Sequence, residues 1–185
     1  NNLDENPDLI CFNNGVYDLK NNIFRDGLPE DYITLSTKID YVKYDNKNVN
    51  HLEVKEEIDD FFEKLFPDPK LRKYMWQHLA TTVSGHNKNQ TINIYNGCGR
   101  NGKSKLAELM AKILGEYAGS ISASLITSKR SSVGQATPEL AQIRGARFVL
   151  MSEPSKGDKI NDGYLKELTG GDPITARPLY GEAVT

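Results

Sequence analysis

The chain has 185 residues, 38% hydrophobic and 26% charged, with a mean hydropathy of −0.55, which suits one sizeable globular domain or two small ones and excludes the disordered and fibrous classes. A net charge of −2 and a pI near 6.0 leave no global basic footprint, so any nucleic-acid contact has to be made by a local cluster of cations. No apolar run approaches the roughly 20 residues of a membrane helix, no basic and apolar leader opens the chain, and the two distant cysteines, Cys11 and Cys98, fit a reducing compartment better than a disulfide framework or a zinc site.

Residues 9–44 alternate short apolar runs with turn residues. Leu9-Ile10-Cys11-Phe12 and Val16-Tyr17-Asp18-Leu19 flank Asn13-Asn14-Gly15, and an Asn-Gly pair between apolar runs predicts a hairpin. Tyr41 to Asn50 is polar and reads as a connecting loop. From Val54 the period changes: Val54, Ile58, Phe61, Phe62 and Leu65 recur at helical spacing. Pro67 and Pro69 end that helix, and Leu71 to Val83 reads as a second one closed by Gly85. Phe61, Phe62, Tyr74 and Trp76 stand among aliphatic residues and are expected in the core rather than on a base-stacking surface. His51, His78 and His86 show no ligand spacing. Residues 1–86 are therefore expected to form a small mixed α+β and helical domain.

A polar linker, His86-Asn87-Lys88-Asn89-Gln90, marks the predicted boundary, and residues 87–185 read as an α/β domain: strand, glycine-rich loop, helix, loop, strand, helix. Thr91 to Tyr95 is the predicted first strand. Gly97-Cys98-Gly99-Arg100-Asn101-Gly102-Lys103-Ser104 follows it and fits the phosphate-loop pattern. Glycines let the backbone turn its N–H groups onto a phosphate, and the next helix offers its positive end to the same charge. Lys103 is expected to reach the β- and γ-phosphates of ATP, Ser104 to ligate Mg²⁺, and Lys105 to flank the site. Leu106, Leu109, Met110, Ile113 and Leu114 give the following helix an apolar face. A chance match in a glycine-rich turn is the bland alternative, and the flanking strand and helix patterns argue against it. Cys98 is read as a small loop residue. Arg147 to Met151 is an apolar strand leading to Ser152 and Glu153, and a carboxylate in that place would complete the Mg²⁺ shell or orient the attacking water. Ser152 stands where many such motors carry a first acid.

Downstream lies Lys166-Glu167-Leu168-Thr169-Gly170-Gly171-Asp172-Pro173-Ile174-Thr175-Ala176-Arg177. With the phosphate loop and the strand ending in Glu153, this resembles the superfamily 3 helicases of the poxvirus type and the phage or plasmid primase-helicases. The Asn-Gly-Val-Tyr-Asp-Leu stretch at 14–19 and the helical segment at 53–84 resemble the accessory domain that precedes such motors. The resemblance implies a P-loop NTPase core of AAA+-like fold, ATP and Mg²⁺ as ligands, a hexameric ring, and single-stranded or forked DNA as the track. It gives Lys103 and Glu153 to catalysis and Lys166, Thr169, Asp172 and Arg177 to coupling nucleotide state with DNA. Taken alone, Gly170-Gly171-Asp172-Pro173 reads as a helix cap followed by a turn. Lys129 and Arg130, in a Ser-rich loop, are a surface pair that a ring could turn toward DNA or a neighbouring subunit. The chain lacks an initiator Met and stops before any assignable sensor or arginine finger, so the resemblance implies a truncated ATPase domain. The competing reading is a non-hydrolysing adaptor that recruits a primase or polymerase.

Overall fold

The computed structural model describes residues 3–127, 137–171 and 174–176. Leu9–Phe12 (β1) and Gly15–Asp18 (β2) pair antiparallel across Asn13 and Asn14, with Leu9 opposite Asp18 and Phe12 opposite Gly15. Ile23–Arg25 (β3) adds to the other edge of β2. Gly15 is required at the turn, because a Cβ there would sit 2.6 Å from the Arg25 carbonyl oxygen and 2.7 Å from the Phe24 ring. Phe12, Phe24, Tyr17 and Tyr41 pack as an aromatic cluster on this sheet.

Val49–Leu65 (α1) begins earlier than the apolar period suggests, because Asn48 caps it by accepting from the Asn50 N–H. Asp68 caps Pro69–Thr81 (α2) in the same way, with Pro69 at the first position, where its missing N–H costs nothing. Lys103–Leu114 (α3) buries Leu106, Met110 and Leu114, one stripe of its 3.6-residue period. Ala118–Ile121 (β4) and Phe148–Met151 (β5) form a parallel pair against α3, with Ala118 opposite Phe148 and Ile121 opposite Met151. Three short α-helices, Ser124–Thr127 (α4), Pro138–Gln142 (α5) and Asp162–Thr169 (α6), and two 3-10 turns, Pro29–Asp31 and Gly115–Tyr117, complete the elements of the described residues.

The architecture is mixed α/β, and the two halves share one core. Ile10, Phe62, Met75 and Leu79 pack with Leu106, Met110, Leu114 and Tyr117. A smaller cluster joins Leu140, Tyr164 and Ala176. Arg147 pins the halves together. Its guanidinium donates to the Val83 and Leu9 carbonyls and lies 4.6 Å from the centre of the Tyr117 ring. The Tyr117 hydroxyl donates to the Leu35 carbonyl at 3.0 Å and accepts from the Cys11 N–H at 3.1 Å.

Two expectations need correction. Thr91 to Tyr95 is not a strand: β5 pairs with β4, and 91–95 belongs to no ladder. An extended segment becomes a strand only by exchanging backbone hydrogen bonds. Here the Tyr95 ring docks instead against α2, its hydroxyl 2.8 Å from His78 Nε2, and Ile94 is 80% exposed. Of the aromatic set expected in the core, Phe62 is buried, but Tyr74 is 56% and Trp76 40% exposed. Trp76 stacks one face on Phe62, ring centres 3.9 Å apart, and leaves the other outward.

Candidate functional site: the glycine loop and the end of α6

The loop before α3 turns on two left-handed residues, Arg100 at φ +63 and Gly102 at φ +80. Gly102 is the N-cap of α3, and no side chain caps the helix there. First-turn N–H groups at a helix start have no intrahelical partner, so together with the helix dipole they offer a place for an anion. Gly97 and Gly102 leave space that other residues would fill: a Cβ on Gly97 would meet Asn101 Nδ2 at 2.3 Å, and one on Gly102 would meet Leu65 of α1 at 2.9 Å. Nothing lies within 4 Å of where a Cβ on Gly99 would stand.

The Lys103 ammonium bends back over the loop, donating to the Gly97 carbonyl at 3.1 Å and to Asn101 Oδ1 at 2.8 Å. An ammonium has three donors, so a phosphate arriving here takes the third or displaces one of these. Ser104 is exposed beside it, as are Cys98 and Arg100 in the loop. Lys105 points along the helix to Glu108 at 2.8 Å, and that hydrogen bond raises its pKa. Gly97, Cys98, Gly99, Arg100, Asn101 and Gly102 thus form a loop that runs directly into the first residues of α3, Lys103 and Ser104.

Glu153 lies two residues past the end of β5, exposed, and makes no hydrogen bond or ion pair with any described residue. Ser152 is held in a structural contact, in which its Oγ accepts from the Ala123 N–H at 3.1 Å and ties the end of β5 to the segment after β4. Among the described residues, no group of three His, Cys, Asp or Glu side chains is arranged to hold a metal ion.

The third predicted element is partly described. Asn161 caps α6 through the Tyr164 N–H, Lys166 is exposed, and the Thr169 hydroxyl bonds back to the Leu165 carbonyl at 3.0 Å. Gly170 is the C-cap, donating to the Lys166 carbonyl, and Gly171 follows at φ +81, a cap followed by a left-handed turn. Asp172, Arg177, Lys129 and Arg130 lie outside the described residues. Sequence reasoning missed Asn87 and Gln90, whose side-chain amides donate to the Thr169 and Gly170 carbonyls at 3.1 and 2.6 Å. It also missed Arg147. Partners more than sixty positions apart leave no local signal.

The fold and this loop describe a mixed α/β chain whose first half packs onto a glycine-loop helix. Residues 1–85 match the family model described as D5 N terminal like. Over 183 residues the chain is 44% identical to a "Putative helicase" of Acanthamoeba polyphaga mimivirus, covering 99% of this chain and 19% of that protein. It is 36% identical over 180 residues to a "Putative helicase" of Invertebrate iridescent virus 3, covering 96% and 19%. It is 27% identical over 184 residues to a "Putative primase" of African swine fever virus, covering 96% and 18%. The chain is thus related along nearly all its length to helicase- and primase-named proteins of large DNA viruses, and spans about a fifth of their length.

Proposed function

We propose that this chain is the accessory module and the first part of the ATPase domain of a superfamily 3 DNA helicase, working in a viral or phage-type replication primase-helicase. The observation that carries this is the loop Gly97 to Ser104, which ends in an α3 start that no side chain caps, with the Lys103 ammonium held over it. Those residues fit ATP and Mg²⁺. The loop N–H groups and Lys103 would bind the phosphates, Ser104 would ligate the ion, and Glu153, from the end of β5, would orient water. The ion would supply charge neutralisation on the transferred phosphoryl group. In this reading the motor works as a hexamer, and its track is single-stranded DNA. The helicase and primase names of the relatives support the reading.

The test is ATP hydrolysis by the full-length protein with and without single-stranded DNA, comparing wild type with Lys103→Ala and Glu153→Gln. DNA should raise the wild-type rate, and each substitution should lower kcat by about 100-fold or more, as loss of a group acting on developing charge does. ATP binding with no turnover, with or without DNA, would overturn the motor and leave a P-loop adaptor that recruits a primase or polymerase.

A further inference from the structure

The end of α6 is held by side chains of the linker that leads into the glycine loop. A helix leaves its last four carbonyls without intrahelical partners. Two carbonyls at this end are claimed from outside: Thr169 by Asn87 Nδ2 at 3.1 Å, and Gly170 by Gln90 Nε2 at 2.6 Å. Asn87 Oδ1 also accepts from the Gln90 N–H at 3.2 Å, so one amide closes its own linker and reaches across to α6. Both contacts together need an amide, since a carboxylate has no donor and a hydroxyl has too little reach. Gln90 holds φ +48, a left-handed conformation that a non-glycine residue adopts at some cost. On the far side, Gly171 keeps the contact close: a Cβ there would press on Gln90 Nε2 at 3.2 Å.

From these contacts, and resting on the reading of the loop as an ATP site, we infer that Asn87 and Gln90 are positioning residues that couple nucleotide at the glycine loop to the segment around Lys166 and Thr169. The connection is short and continuous. The Lys103 ammonium holds the Gly97 carbonyl, and the chain runs back from Gly97 through 91–96, which no ladder fixes, to Gln90 and so to the Gly170 carbonyl. A phosphate competing for Lys103 releases or shifts Gly97, and the segment, which has no ladder to hold its backbone and docks on α2 through Tyr95, passes that shift to the Gln90 amide. The end of α6 then moves with the loop, and a bound strand that presses on α6 acts on the loop by the reverse path.

The experiment uses full-length protein carrying Gln90→Glu or Asn87→Asp, which keep size and acceptors and remove the donor. Basal ATP hydrolysis and its KM should stay within about twofold of wild type while stimulation by single-stranded DNA falls about tenfold, within the usual range of coupling between two sites. Equal stimulation in wild type and variants overturns the inference. So does a parallel fall in basal and stimulated rates, which reports lost stability alone. Hydrogen exchange at residues 166–171 gives a reading independent of turnover. Added ATP should slow exchange there in wild type and not in Gln90→Glu. The same response in both proteins, or none in wild type, overturns the coupling, whereas a wild type that shows the exchange response but no hydrolysis overturns the motor only.

Discussion

Arg25 grips Asp31 with both arms of its guanidinium, Nη1 to Oδ2 at 2.8 Å and Nη2 to Oδ1 at 2.7 Å, and the Leu28 N–H adds a third donor. The Asp31 side chain is only 10% exposed, so this is not a solvent-screened surface pair. The Arg25 hydrogen bond is the larger influence and burial opposes it, and the net effect is to hold the Asp31 carboxyl below its ordinary 3.8. A folded pKa below the unfolded one gives stability that is fully present above the unfolded value and is lost as pH falls through the folded one. Asp31→Asn should therefore cost about 1 kcal/mol at pH 7 and progressively less as the carboxyl is protonated at pH below its ordinary 3.8. Urea midpoints of the two proteins should converge as pH falls below about 4. Midpoints that stay equally far apart as pH falls would show that the charge of Asp31 is not what the pair uses.

Elements whose signals are local were legible, and those made by distant pairing were not. The first hairpin follows from alternation and Asn14-Gly15, and α3 from Leu106, Met110 and Leu114 at helical spacing. The strand Ala118–Ile121 has one β-branched residue and exists because Phe148–Met151 lies beside it, which no window of sequence contains. Thr91 to Tyr95 has the right alternation without a ladder. In the candidate site, the glycine loop and the acid beyond β5 were readable as motifs, whereas the Asn87 and Gln90 clasp depends on carbonyls some eighty positions away. How α3 ends shows the same division. Gly115 is the C-cap of α3, and its φ of +55 and its closeness to Thr37 are set by tertiary structure, since a Cβ there would lie 2.2 Å from the Thr37 carbonyl oxygen. Thr37 is itself fully buried. Gly115→Ala cannot be absorbed by rotating a side chain, because backbone is what it meets. It should destabilise by about 3 kcal/mol or more in chemical denaturation, and a loss under about 1 kcal/mol would mean that the loop at Thr37 yields freely.

At the scale of the molecule, the family match over residues 1–85 marks a sequence unit whose surface is not self-sufficient. Its buried Ile10, Phe62, Met75 and Leu79 face Leu106, Met110, Leu114 and Tyr117 from beyond residue 86. Polar ties run the same way: Arg147 to the Leu9 and Val83 carbonyls, Tyr117 to Leu35 and Cys11, and the Glu116 carboxylate to the Ser36 N–H at 2.8 Å. Removing residues 87–185 would strip partners from four core side chains, each worth about 1.5–3 kcal/mol when fully buried. The sum is comparable with the whole stability of a domain, about 5–15 kcal/mol. A polypeptide of residues 1–86 should therefore keep much of its helical circular dichroism, bind an apolar dye, and melt without a cooperative transition. The 185-residue chain should unfold in one step followed equally by Trp76 fluorescence and by circular dichroism. A sharp, dye-free transition in the 1–86 piece, with a midpoint matching the longer chain, would mean that β1, α1 and α2 need no support from α3, and that the shared cluster is a docking surface between two finished domains.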